Sequence, residues 1–503
     1  MLRGVEVQDE QEAQGDEAPQ PGVQAAPAPS ATEPIIQRVP PTWHGLFKAL
    51  LILALPIMAE HLLHIGVGLT DTYLANNMVL TSGLSGDALE AARAANARAA
   101  AAVGSTTYVA WFMGLMTAAV GTGSTALIAR ASGARDRRTA RSALGQSILL
   151  GSICGLLAGL TLLFFNGPIS RIFGFDDPAV EGLIARYLWY LGLGMPLIIL
   201  TFIGNACLRG AGDTISPAIA MIVIDLVNIW LSFSLCYGWG PFPAMGFDGI
   251  ALGTSIAYAF GAAVVLSVLL LGIGRSGLRL YIHRLGFNWN TTRRILRVGI
   301  PSGAEGLIFW GANFVVLYLV NSLGEISAAA HNIAIRVESL SYMTGFAVAT
   351  AAATMVGQSL GMKDPTRAKR CGYVAFALGG GLMGVAGLLF ILANGPLARA
   401  INDDPLVAGE TAHVLFIVGF AQVAFAAMMI FGGALRGAGD TTAVMIRNLG
   451  SALLVRMLGA VIAVNVLGMG LTGVWIVLSI DLLVRGVLLW GRFAGGKWTA
   501  VKV

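Results

Sequence analysis

At 503 residues, with 56% of them hydrophobic, 12% charged and a mean hydropathy of +0.74, the chain is too apolar for a water-soluble globule, whose surface needs roughly a quarter of its residues charged. The formal charge of +5 divides unevenly: residues 1–42 hold seven acids against Arg3 and Arg38, so this stretch is −5 and the remainder +10. Nucleic-acid binding is excluded, since no long basic segment lies outside short loops between apolar runs.

The chain opens on an acidic, Pro- and Ala-rich stretch, residues 1–45, without the basic-then-apolar pattern of a signal peptide. It cannot bury enough apolar surface to fold and is expected to be a disordered cytoplasmic tail. From about Lys48, twelve apolar stretches follow, at about 46–75, 104–130, 139–166, 180–207, 213–237, 247–273, 295–321, 327–357, 367–393, 406–434, 440–465 and 470–492. Each is long enough to cross the roughly 30 Å hydrocarbon core as a helix, and the 65 Gly and 17 Met suit helices packed closely in lipid. Residues 77–103 include DALEAARAANARAAAAVG, expected to form an extracellular surface helix inserted in one half. Residues 274–294 mix Leu278, Leu280, Tyr281 and Leu285 with Arg279 and Arg284. That mixture fits an interfacial helix and equally a plain linker whose cations set topology. Residues 494–503 form a second short cytoplasmic tail.

Orientation follows from the loops. Those after spans two, six and eight carry 15 Lys and Arg, including Arg135, Arg141, Arg279, Lys363 and Arg367, against four (Arg93, Arg98, Arg171, Arg399) in the opposite loops. Cations accumulate on the cytoplasmic side, so twelve spans with both termini inside is the simple solution. Cys154, Cys207, Cys236 and Cys371 lie far apart in or beside apolar runs, as small core residues rather than a zinc or redox pair.

The chain also repeats itself. LRGAGDT occurs at 208–214 and again at 435–441; Asn166-Gly167-Pro168 recurs as Asn394-Gly395-Pro396, and Asp176-Asp177-Pro178 as Asp403-Asp404-Pro405. Gly133-Ala134-Arg135-Asp136 matches Gly361-Met362-Lys363-Asp364, while Pro56 and Glu60 answer Pro301 and Glu305. The matches keep their order, so the chain is two homologous halves of six spans. Because equivalent basic loops fall on one side, the halves relate by a pseudo-two-fold along the membrane normal, with the substrate site between them. The expected fold is therefore an all-α integral membrane protein of two six-helix lobes, 46–273 and 295–493.

Charge inside a span is costly and is retained for function or pairing. The in-span acids are Glu60, Asp71, Asp225, Glu305, Glu338 and Asp481. Asp481 and Arg485 stand i,i+4 and read as a self-neutralising pair; Glu338 reads as paired on another helix. Asp71 has no cation in reach on its own span. At 100° per residue Glu60, His64 and Asp71 share one helix face, a candidate proton relay; for His64 a polar filler near the helix end is the other reading. Pro56 and Pro301 interrupt backbone hydrogen bonding and fit either a coupled bend or a static kink. In the doubled LRGAGDT, a Gly-rich turn followed by a capping Asp (Asp213, Asp440) reads as structural, with Arg209 and Arg436 holding the turn or neighbouring acids.

These features together, with LPIMAEHLL…GLTDTYLANN in span one and AAAHNIAIRVESLSYM…TMVGQSLGMKD around span eight, make the chain from 46 to 493 resemble the multidrug and toxic compound extrusion (MATE) transporters, and within them the DinF-like bacterial branch. The resemblance implies a bacterial inner-membrane antiporter that exports small organic, cationic or amphipathic compounds against H⁺ or Na⁺ by rocking its lobes. It implies a monomer with no cofactor beyond the coupling ion. In that family an Asp of span one works with an Asn and a second Asp of span five and a Thr of span six. Asp71 matches the first, Asn228 the Asn and Thr254 the Thr; if Na⁺ is the ion, these three would supply its oxygen ligands. Ser232 stands where the second Asp is expected, and Asp225, three residues before Asn228 on the same face, is the candidate replacement. A site with one charge fewer would favour H⁺. Val316 occupies the Asp71 position in the second half, so coupling is expected to be asymmetric.

Two other classes compete. A flippase for lipid-linked saccharides would line its cavity with cations, and Arg447 and Arg456 in span eleven keep that reading open. A membrane enzyme would need a metal or nucleophile constellation, and the six histidines provide none.

Overall fold

The computed structural model describes residues 35–281 and 286–501; the acidic stretch 1–34, and with it most of the expected tail, lies outside them. The described residues are helices and short connections, without a strand. A short α1 (Ile35–Arg38) leads into the first lobe: α2 (Trp43–Asn76), α3 (Gly86–Gly133), α4 (Arg137–Ile172), α5 (Pro178–Ala211), α6 (Ile215–Tyr237) and α7 (Phe247–Leu271). The second lobe is α8 (Trp289–Ser322), α9 (Glu325–Gly361), α10 (Pro365–Leu392), a short α11 (Asn394–Arg399), α12 (Pro405–Gly437), the eleventh span and α15 (Gly470–Ala494). That eleventh span is α13 (Thr441–Ser451) and α14 (Leu458–Val461), with π-helical turns at Ala452–Met457 and Ile462–Val466. Among the described residues, twelve helices are long and apolar enough to cross a membrane.

The repeated motifs earn their positions as helix starts. Asp136 accepts from the Thr139 amide at 3.0 Å and its mate Asp364 from the Arg367 amide at 2.8 Å. Asp177 and Asp404 cap α5 and α12 in the same way, each followed by a proline in the first turn, where a missing N–H costs nothing. Asp136 lies outside the spans; the Thr139 hydroxyl and amide hold its carboxyl below the ordinary carboxylate range. Its folded pKa being depressed, this cap acts fully at neutral pH and is lost only as pH falls through that lowered value.

Two expected elements differ. The Ala-rich insertion is not a separate surface helix: residues 86–103 are the opening turns of α3, continuous with span two. Ala92, Ala99 and Ala102 are buried, Asn96 exchanges hydrogen bonds with the Val79 backbone, and Arg98 pairs with Asp177 at 2.6 Å, so the stretch packs on its lobe. Residues 273–281 carry no helix; Leu278 and Leu280 are buried, and the Leu280 amide donates to Leu269. Leu278 and Leu280 therefore face the lobe and not a bilayer surface. The rest of the linker, 282–285, is outside the described residues.

The lobes close on each other at the face that carries both described termini, called here the terminal face. Gly133 at the end of α3 lies on the Gln358 carbonyl of α9, and Gly361 lies on the Arg130 carbonyl of α3; a Cβ at either would collide. Thr354 and Gln358 of α9 donate to the Arg209 and Gly210 carbonyls, and Arg130 reaches the Ala438 and Val501 carbonyls. Gly133→Val or Gly361→Val is therefore expected to cost about 1–3 kcal/mol by overpacking, seen as a lower melting temperature of the purified protein. Wild-type melting in both variants would mean the seam is not this tight.

Candidate ion-coupling site

Asp71 sits on α2 five residues before its end, far from the terminal face, buried between α5, α6 and α7. Its carboxylate accepts from the Tyr187 hydroxyl of α5 at 2.7 Å and from the Thr254 hydroxyl of α7 at 2.9 and 3.0 Å. The Asn228 amide of α6 donates to Thr254 at 2.9 Å and to Ser232 at 3.2 Å. A directed chain thus runs from Asn228 through Thr254 to Asp71, four helices meeting on one carboxylate. Among the described residues no cation pairs with Asp71, and the Asn228 Oδ1 atom is buried without a donor. A buried acceptor left open costs roughly 1–3 kcal/mol, so stability alone does not account for the cluster.

Each residue is placed by its neighbours. Thr254 follows Gly253, which lies against Ser232 so closely that a Cβ there would clash, and this brings α7 onto α6. Tyr187 packs its ring against Phe247, centroids 5.9 Å apart, which aims the hydroxyl at Asp71. Sequence reasoning missed Tyr187. The only signal available was that a tyrosine buried in an apolar run needs a partner for its O–H.

Asp225 is near this cluster and not part of its hydrogen-bond chain. Its carboxylate lies against Gly66 of α2, where an added Cβ would come within 3.2 Å of Oδ2. Gly66 precedes Asp71 by five residues, about 7.5 Å along the helix. Asp225 is buried, with Oδ1 unpartnered among the described residues. It is thus a second acid in the same lobe, offset toward the terminal face.

The candidate relay does not assemble. Glu60 lies about 16 Å along α2 from Asp71, and its carboxylate is taken by Arg209 at 2.5 Å and Asn205 at 3.3 Å. His64 packs on Phe202, centroids 5.6 Å apart, and has no hydrogen bond to either acid among the described residues. Helix periodicity put the three on one face correctly; axial distance and Arg209 separate them.

The doubled motif has a doubled partner. As Arg209 holds Glu60, Arg436 holds Glu305 at 2.5 Å, with Asn448 adding a further hydrogen bond. The two aspartates diverge. Asp213 accepts from the Ser216 amide and hydroxyl and from the Arg275 amide, capping α6 as expected. Asp440 makes no such cap; it pairs with Arg492 at 2.7 Å.

The second lobe places its charges elsewhere. Asp481 of α15 accepts from Ser451 at 2.6 Å and pairs with Arg456 at 2.8 Å and Arg485 at 2.9 Å. Arg456 also donates to Asn313, and both guanidiniums lie over the Phe309 ring. Arg447 donates to the Ala443 carbonyl of its own helix. Glu338 is held by Gln422, itself bonded to Ser341. Val316, at the Asp71 position, is buried and apolar.

The family model described as MatE matches residues 72–234 and 301–462, one segment in each lobe. A probable multidrug resistance protein NorM of Thermotoga maritima is 29% identical over 455 residues, 90% of this chain and 93% of that protein. An FAD transporter of Shewanella oneidensis is 26% identical over 419 residues, 81% of this chain and 86% of that protein. A MOP superfamily transporter from Pyrococcus furiosus shares the fold, with a TM-score of 0.79 at 23% identity over 90% of this chain and 97% of that one.

Proposed function

Since the chain belongs to the MatE family, we propose that it is a secondary active multidrug efflux transporter of a bacterial inner membrane. It exports organic cationic or amphipathic compounds in exchange for H⁺. Both termini are cytoplasmic, in keeping with the cation count of the loops, and the unit is a monomer. The closed terminal face then corresponds to a state sealed toward the cytoplasm.

The observation that carries this reading is the buried Asp71 carboxylate held by neutral donors alone. An ionised Asp71 attracts a cationic substrate in a low-dielectric cavity. A proton arriving on it cancels that attraction, and the new acid O–H needs an acceptor. The open Oδ1 of Asn228 is the acceptor within this cluster. Each ligand therefore favours release of the other, which is the requirement for exchange. Ser232 in place of a second acid and Asp225 outside the chain leave a single carboxylate at the cluster, which suits H⁺ better than Na⁺. Against the flippase alternative speak Arg456, buried on Asp481, and Arg447, which bonds its own helix.

The test is efflux of a cationic dye from a drug-sensitive host under imposed gradients. A pH gradient is expected to drive export in sodium-free buffer. Export driven only by Na⁺ would overturn the choice of ion, and no dye export under either gradient would overturn the efflux reading.

A further inference from the structure

A cavity of about 480 Å³ opens on the terminal face at the seam between the lobes. Its walls are the repeat-equivalent turns Gly133–Arg135 and Gly361–Lys363, with Gln37 and Arg367 completing the rim, so it straddles the pseudo-two-fold axis. Arg135 and Lys363 both adopt left-handed backbone, φ 58° and 60°, which is uncommon outside glycine. One cation from each lobe is thereby presented at the same cavity.

The chain enters the fold at this point. Gln37 donates to the Gly133 carbonyl at 2.9 Å and accepts from Arg135 at 2.9 Å. Arg367 of the other lobe donates to the Ile36 and Val39 carbonyls, and Arg370 to the Pro41 carbonyl. Ile36 is fully buried. Residues 35–41 are thus tied to both lobes, and whatever precedes Ile35 leaves from the rim of the cavity. What precedes it is acidic: Glu6, Asp9, Glu10, Glu12, Asp16 and Glu17 fall within twelve residues that contain no base. The 18 residues from Glu17 to Ile35 reach at most about 60 Å, so the acids have the cationic seam within reach at an effective concentration on the order of millimolar.

We propose that the acidic stretch 6–17 docks on the seam cavity of its own chain, its carboxylates bridging Arg135 of one lobe and Lys363 of the other. Each such pair is exposed and individually weak; several on a short tether act together and weaken with salt.

The test is zero-length carbodiimide cross-linking of the purified full-length protein, mapped by mass spectrometry, which does not depend on transport. The expected product joins a carboxylate of residues 6–17 to the Lys363 amine. Its yield should exceed that at Lys48, Lys369 or Lys497, fall at least threefold on going from 50 to 500 mM salt, and fall similarly in Arg135→Gln. Equal yields at Lys363 and at Lys48, Lys369 and Lys497, or a yield indifferent to salt and to Arg135→Gln, would overturn the proposal. Loss of the cross-link in phosphatidylglycerol vesicles but not in phosphatidylcholine vesicles would overturn it too, assigning the cavity to a lipid headgroup.

Discussion

Asp71→Asn is expected to reduce gradient-driven efflux to the level of the empty host while the protein accumulates and melts like wild type. Asparagine has nearly the same shape, and its carbonyl oxygen can still accept from Tyr187 and Thr254, so packing among α2, α5, α6 and α7 is preserved. What it removes is the charge and the capacity to bind a proton. Burying a neutral amide costs less than burying an unpaired charge, so stability should fall little. Two measurements separate the outcomes: efflux under an imposed pH gradient, and melting of the purified variant. Wild-type efflux by Asp71→Asn would remove this residue from the coupling mechanism, whereas a large drop in melting temperature would make it structural. Asp225→Asn provides the contrast. Because Asp225 stands outside the hydrogen-bond chain, its loss is expected to leave gradient-dependent export measurable.

The largest effect on stability is expected at Asp481. That single carboxylate serves two buried guanidiniums, Arg456 and Arg485, and the Ser451 hydroxyl. Truncation to alanine leaves two like charges facing each other in low dielectric, and breaking a buried pair of this kind costs about 3–5 kcal/mol. Asp481→Ala should fail to accumulate or should melt far below wild type by fluorescence-detected size exclusion. Neutralising all three groups together, Asp481→Leu with Arg456→Met and Arg485→Met, should recover much of the loss, because replacing a whole buried ionic cluster by apolar side chains is often neutral or better. Wild-type melting of Asp481→Ala would show that the cluster is hydrated rather than buried.

Those two sites differ in how far the sequence reveals them. The spans are legible because crossing lipid demands long apolar runs, and the repeat is legible because Asp136, Asp177, Asp364 and Asp404 must cap equivalent helices. Asp71 stands out as an acid with no cation on its own helix. The i,i+4 pair of Asp481 and Arg485 can be read along one helix. Arg456, 25 residues from Asp481, cannot, because helical periodicity states which residues share a face and not which helix that face meets. The same limit explains Glu60, whose partner Arg209 stands 149 residues away, and Tyr187, which nothing in its own segment distinguishes from a core aromatic.

The glycine contacts at the terminal face have a particular reciprocity. Gly133 meets Gln358 while Gly361 meets Arg130, and each residue of one contact is the repeat counterpart of a residue in the other. This is the signature of an isologous interface, the kind that joins identical subunits about a two-fold axis, here contained within one polypeptide. Identical subunits would be obliged to carry every side chain twice. A fused pair is not, and the divergence of Asp71 from Val316 and of Asp213 from Asp440 shows where each half has been free to specialise while the surface that joins them has kept its symmetry.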